Sequence, residues 1–476
     1  MHSPPLAQPL RNDRLVITVA GAATVLAVSL FYTPLPLVLV LACAAGVYFI
    51  TRPYELLLVM VFLIPFNFVF RVGPVPVAAE LLKVFAWAPF VITRSRRPVF
   101  LGSRYNQWFL LWAGIIALSL ARSSDFPYSL KECVRLGSNI GLVYLVLNLV
   151  DSRDKVLQVF RVLTLSTCVV AVYGFYQFAV QDFGPLFWIV NPRMDTSLAH
   201  GRFTFWEWRG RIISVLTSEM ELGHYFNLSL PLAVVLWLRE ARRQWTSKWL
   251  WMALAILAGL ALTFTFGAWI SLITATGFLA LILDRKRRWK IALTAAPVFS
   301  LLAALLTFGP LRSFLMDKVS GREIGSLAWD VFTRLDAWAF ALQTWLTHPW
   351  LGVGVGNYEL LEYSHEFIHS PWGPSGSTPH ETYLYLLAVS GVVGLAGMLF
   401  IFLGCIRSNL RLRFDRHYGL IALGLAFALI ANLVGWLGDD STFLGPHTSY
   451  LLWLVVGLTE AVRVLAARQS PDLAAA

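Results

Sequence analysis

The sequence predicts an all-α polytopic membrane protein of about 12–14 transmembrane helices, with two long outer loops, the larger containing an amphipathic helix. Three observations carry that reading. Apolar and aromatic residues make up 57% of the 476 residues and charged residues only 14%, against about 45–50% and about 25% in ordinary soluble domains. Mean hydropathy is +0.66. Apolar runs of roughly 17–25 residues recur along the chain, each long enough to cross a hydrocarbon core.

Taken in order, the predicted spans are 15–31, 34–50, 54–70, 77–93, 107–122, 133–150, 156–180, 223–239, 249–264, 266–283, 291–308, 380–405, 418–437 and 447–466. The stretch 249–283 is divided because, at about 1.5 Å per residue, it exceeds one crossing of a roughly 30 Å core. The spans define an N-terminal transmembrane bundle (1–180), a first outer loop (181–222), central transmembrane helices (223–308), a large outer loop (309–379) and C-terminal transmembrane helices (380–476). The first run lacks a small-residue cleavage site and reads as a retained helix.

A net charge of +11 would raise nucleic acid as a partner for a soluble protein. Here the basic residues cluster between spans, at Arg94–Arg104, Arg239–Lys248, Arg285–Lys290 and Arg407–Arg416. All four clusters follow even-numbered spans, on the same side as Arg11 and Arg14. The positive-inside rule makes that side cytoplasmic, with both termini, and turns the two long loops outward. Orientation in the membrane therefore explains the charge without nucleic acid. Cys43, Cys133, Cys168 and Cys405 are scattered, with neither metal-ligand spacing nor a disulfide framework.

In the larger loop, Val331, Leu335, Trp338, Leu342 and Trp345 fall on one helical face of 326–347. Such a helix lies along the membrane surface or packs on the bundle. Arg334, four residues after Asp330, suits an i,i+4 ion pair. In HPWLGVGVGNY, Gly352, Gly354 and Gly356 lack the spacing and strand–helix context of a dinucleotide fingerprint and read as a tight turn packed on the membrane. Thr378 then reads as an N-cap, Pro379 as the first helical residue and Glu381 as the closing member of a capping box. That places His380 in the first turn of a span, where the helix dipole favours anions and a neutral imidazole. His380 reads either as a general base beside a phosphate leaving group or as an interfacial histidine without chemistry. The first loop interleaves Arg202, Arg209 and Arg211 with Phe203, Phe205, Trp206 and Trp208. That mixture suits sugar faces with phosphates and equally an interfacial aromatic belt.

On these residues, over roughly 200–400, the chain resembles the bacterial O-antigen ligase and polymerase superfamily. Arg211 before SVLTSEMELGHY, Arg334 and Trp338 leading to HPWLGVGVGNY, and His380 before LYLLAVSGVVGL are similar to the superfamily's segments in order. The resemblance implies a glycosyltransferase of the bacterial inner membrane with its active site on the periplasmic side. It would move a glycan from undecaprenyl diphosphate to lipid A-core or to another glycan, among membrane lipids and with no metal or other cofactor. His380 is then the catalytic residue, and Arg211, Arg334, Arg209 and Arg202 hold the diphosphate. Trp206, Trp208, Trp338 and Tyr383 contact glycan or lipid. The chain departs from the superfamily's pattern at Phe266, which replaces an arginine of the 263–267 hinge, and at Glu381 and Val389. Asp439-Asp440, in a short outer turn, leaves an opening for a metal. A lipid-linked-sugar flippase is the rival from another class. No internal repeat is visible, and the intramembrane candidates Glu80 and Lys83 stand i,i+3 and can pair with each other. A scaffold subunit of a polysaccharide assembly complex is a third reading.

Overall fold

The computed structural model describes residues 48, 52–66, 70–72, 75–77, 102–123, 125–190, 211–240, 246–282, 324–358, 361 and 379–469. The predicted spans 15–31 and 291–308, almost all of 34–50 and of 77–93, Glu80, Lys83, Thr378, Arg202, Arg209, Trp206 and Trp208 lie outside the described residues. The chain divides into two units, Met1–Leu56 with Phe85–Pro98, and Leu57–Val84 with Val99–Ala476. In the first, Arg52 lies 3.3 Å from Glu55.

Numbered over the described residues, the chain begins with α1 (Pro53–Leu63) and a hairpin of β1 (Phe70–Val72) and β2 (Val75–Val77), paired antiparallel with Phe70 opposite Val77. The helix α1 stops at Leu63 instead of running to 70. Pro65 disfavours helical backbone at Ile64, and the three-residue strands follow. Next come α2 (Asn106–Ala121), α3 (Phe126–Leu149), α4 (Arg153–Val180) and the short α5 (Pro185–Val190). The centre holds α6 (Glu219–Arg239), α7 (Lys248–Leu262) and α8 (Phe266–Ile282). The remainder is α9 (Ile324–Thr347), α10 (Thr382–Arg411), α11 (Gly419–Gly435), the single turn α12 (Ser441–Leu444) and α13 (Pro446–Gln469).

Local sequence sets the helix starts. Asp125, Ser152, Ser218 and Ser247 each accept a first-turn amide, from Tyr128, Lys155, Glu221 and Trp249, a cap worth about 1 kcal/mol. The predicted division of 249–283 falls at 263–265, where Phe264 has φ +50° and Thr265 Oγ1 donates to the Glu219 carbonyl at 3.0 Å. Among the described helices, three are long and apolar enough to cross a membrane: Arg153–Val180, Thr382–Phe414 and His447–Gln469. With the shorter apolar helices beside them, the protein is an all-α polytopic membrane protein.

Helix α6 packs against α4, α7, α11 and α13, while α13 also covers α3 and α10 covers α2, α9 and α11. Helix α9 uses a face other than its bulky stripe. Ala337, Ala341 and Thr344 are buried, whereas Leu335 and Leu342 are exposed. Small residues let the backbones approach, as in membrane bundles, while Leu335, Leu342 and Leu346 point away.

The glycine-rich turn has a role that spacing alone does not reveal. Helix α10 breaks at Gly391, with φ +64° and ψ −171°, and residues 349–354 lie in the break. Val392 and Val393 donate to the carbonyls of Pro349 and Trp350 at 2.9 and 3.2 Å. In return, Val353 and Gly354 donate to those of Ala388 and Val389, both at 2.9 Å. A Cβ on Gly391 would stand 2.2 Å from the Trp350 carbonyl, and one on Gly352 2.3 Å from Val389 C. The turn is thus a backbone plug inside a broken span, the setting in which irregular backbone survives at membrane depth.

Candidate functional site

The site is built on the turn between α11 and α12. Trp436 and Asp439 present carbonyls to Thr382, which donates its amide at 3.0 Å and its hydroxyl at 2.9 Å. These bonds fix the start of α10 against the turn. Glu381, in extended backbone, is the N-cap and accepts the Leu384 amide. The capping assignment made from sequence is therefore shifted: His380 precedes the cap and does not sit in the first helical turn. Its φ is +50°, which costs a non-glycine residue about 1–2 kcal/mol. Its amide donates to Asp440 Oδ2 at 3.1 Å.

Helix α9 supplies two more groups to the same place. Arg334 donates from Nη1 to the Gly438 carbonyl at 3.2 Å, and Trp338, one helical turn on, donates from Nε1 to the Pro379 carbonyl at 2.8 Å. Arg334, Trp338 and His380 thus converge on residues 379–380 and 438–440. Tyr383 turns away, its hydroxyl on the Leu433 carbonyl at 2.6 Å and its ring edge-on to Trp436.

The turn itself is acidic and buried. Asp439 and Asp440 are 4% and 5% exposed, so their carboxylates are shaped by neighbours and hardly by water. Asp439 accepts the Ser441 amide at 3.2 Å and the Ser441 hydroxyl. From α6, His224 brings Nε2 to 3.2 Å from Asp439 Oδ2. A ring nitrogen of His380 and one carboxylate oxygen from each aspartate lie within 4.8 Å of one another. Burial pushes the Glu381 carboxyl up and Asp440 adds to the rise, opposed by the backbone bonds from Leu384 and Tyr383.

Arg211 belongs to an adjoining contact set. It pairs with Glu219 at 2.8 Å, at the start of the helix that carries His224. Glu221, between them, takes His447 Nδ1 at 3.0 Å and the Thr217 hydroxyl. Phe266 packs edge-on to Trp269, with ring centroids 5.4 Å apart. An arginine that the sequence reading passed over, Arg135 of α3, donates to Glu132 at 2.8 Å and to the Phe443 carbonyl at 2.9 Å. His224 was also passed over, and Asp439 and Asp440 were singled out only as an opening for metal. The available signal was an ionisable residue inside an apolar run.

Chemically, the cluster can accept a proton at an imidazole, balance the resulting positive charge with carboxylates and offer guanidinium donors to an anion. Residues 250–399, that is 150 of the 476, match the family model described as O-antigen ligase. The match supports the O-antigen ligase/polymerase superfamily and, in general terms, a glycosyltransferase of that type in a multi-pass membrane protein. It contains Phe266, α9, the glycine plug and His380. No curated protein matches the chain.

Proposed function

We propose that the protein is a glycosyltransferase that moves a glycan from undecaprenyl diphosphate to a hydroxyl acceptor on the periplasmic side of the bacterial inner membrane. The convergence of His380 and Arg334 on the buried 438–440 turn carries this reading. As the acceptor oxygen attacks the anomeric carbon, His380 takes its proton and the bond to the diphosphate breaks, with inversion. Asp439 and Asp440 stabilise the imidazolium that forms. Arg334 and Arg211 neutralise charge developing on undecaprenyl diphosphate as it leaves. Trp206, Trp208 and Trp338 hold glycan or lipid. The reaction draws its free energy from the diphosphate bond and uses no metal.

Ligation to lipid A-core is the favoured transfer; polymerisation of repeat units uses the same machinery with a glycan acceptor. A flippase is the reading that the break in α10 would favour, because transporters bind substrates at exposed ends of broken helices. Here the amides and carbonyls at the break are occupied by residues 349–354, which argues for transfer over transport. Purified protein given a polyprenyl-diphosphate glycan with lipid A-core or a glycan acceptor separates the three. A new glycosidic bond, lost in His380→Ala, is the expected result. Lipid movement between leaflets without any transfer would overturn the proposal.

A further inference from the structure

We infer that His224, His380, Asp439 and Asp440 form a site for a single zinc-like divalent transition-metal ion, and that the ion, when bound, switches transfer off. The site is argued from geometry; the switching rests on the role proposed for His380. Donors of the three outer residues already lie within 4.8 Å of one another. Ligands about 2.1 Å from a tetrahedral zinc sit about 3.4 Å apart, so about an ångström of side-chain adjustment would seat an ion on these three, and His224 reaches it from the side of Asp439.

The buried histidine is the independent observation. His224 is 1% exposed and neither ring nitrogen makes a hydrogen bond. Yet Nε2 stands 3.2 Å from Asp439 Oδ2, close to the separation of two ligands on one tetrahedral ion. A buried imidazole facing a carboxylate without a hydrogen bond is costly, and a shared cation would remove that cost. Two imidazoles with two carboxylates select zinc or a related ion over magnesium, which prefers oxygen ligands and keeps its waters. Zinc on the His380 ring would occupy the lone pair that otherwise takes the acceptor's proton.

The test uses the full chain in detergent or nanodiscs, without a polyhistidine tag. Equilibrium dialysis against zinc followed by elemental analysis should find one ion per chain beyond that of a His224→Gln/Asp439→Asn double variant. His224→Gln alone should weaken binding at least tenfold. Cobalt should give a tetrahedral visible band in the native protein that is absent from His224→Gln, with unchanged thermal unfolding to show that the variant is folded. Magnesium should not compete. Zinc should inhibit transfer and a chelator should restore it. Equal zinc binding by the native and double-variant proteins would overturn the site, whatever the transfer assay shows. Zinc bound at full occupancy with transfer undiminished would overturn the switch and leave the site. Zinc bound by a protein that transfers nothing would leave the site standing and remove the enzymatic reading, and with it the switch.

Discussion

Glu460 and Asp439 are both buried carboxylates, one well inside α13 and the other in the turn between α11 and α12, and their surroundings differ in kind. Glu460 is saturated. It accepts the Ser103 hydroxyl at 2.8 Å and the Arg104 amide at 2.9 Å, and Arg463 donates to both of its oxygens, at 3.0 and 3.2 Å. Every partner is a donor with good geometry, so the node closes upon itself and ties the residues before α2 to the last helix. Asp439 is held by Ser441, but its other close neighbour, His224, approaches without a hydrogen bond, and beside it Asp440 holds His380 in a strained conformation. A saturated polar node stabilises the fold; an unsaturated one with local strain is where chemistry is to be sought.

Substitutions can break or sharpen that contrast. The largest effect is expected at His380→Ala, which should lower transfer by about 10²–10⁴-fold while leaving thermal unfolding little changed, because alanine keeps the Cβ and with it the same backbone strain at φ +50°. Arg334→Ala should cost about 10²–10³-fold in transfer, the scale of one lost donor to developing charge. Arg334→Lys should recover only part of this, because a point charge does not reproduce the planar fork. Both are read from initial rates with a polyprenyl-diphosphate glycan.

Two further substitutions address the scaffold. Gly391→Ala should destabilise by about 2–3 kcal/mol or more, measured by thermal or denaturant unfolding in detergent, since it forces positive φ and strikes the Trp350 carbonyl. Glu460→Gln should cost about 1–3 kcal/mol of stability with transfer per folded molecule unchanged within about twofold; a larger loss of transfer would erase the distinction between the nodes. The smallest effect is expected for Trp338→Phe. Losing its bond to the Pro379 carbonyl should cost about 0.5–1.5 kcal/mol of stability.

Much of this was legible in the sequence. Apolar run length located α4, α10 and α13, and the excess length of 249–283 located the break between α7 and α8. Trp338 was visible through the helical periodicity of 326–347, Arg334 through its spacing from Asp330 and the order of segments shared with the superfamily, and His380 through the capping residues around it. The rest depends on contacts between distant segments. Nothing local to Gly352 or Gly391 says that their backbones meet, and Val331–Trp345 periodicity marks the bulky face of α9 while packing uses the small one. His224 reads as one polar residue in an apolar run until Asp439, more than two hundred positions on, is placed against it. The start of α10 was misplaced because Thr378-Pro379 and Glu381 both carry capping chemistry. The bonds from Thr382 to Trp436 and Asp439, which settle the choice, come from another helix pair.

The central claim is that an imidazole before α10 and a guanidinium from α9 act together on a lipid diphosphate. It is tested most directly by transfer from a defined polyprenyl-diphosphate glycan to an acceptor in purified protein containing excess chelator. The account predicts a new glycosidic bond with inverted configuration, persisting in chelator and lost in His380→Ala. Undiminished transfer by His380→Ala, or transfer that stops when divalent ions are removed, would contradict it.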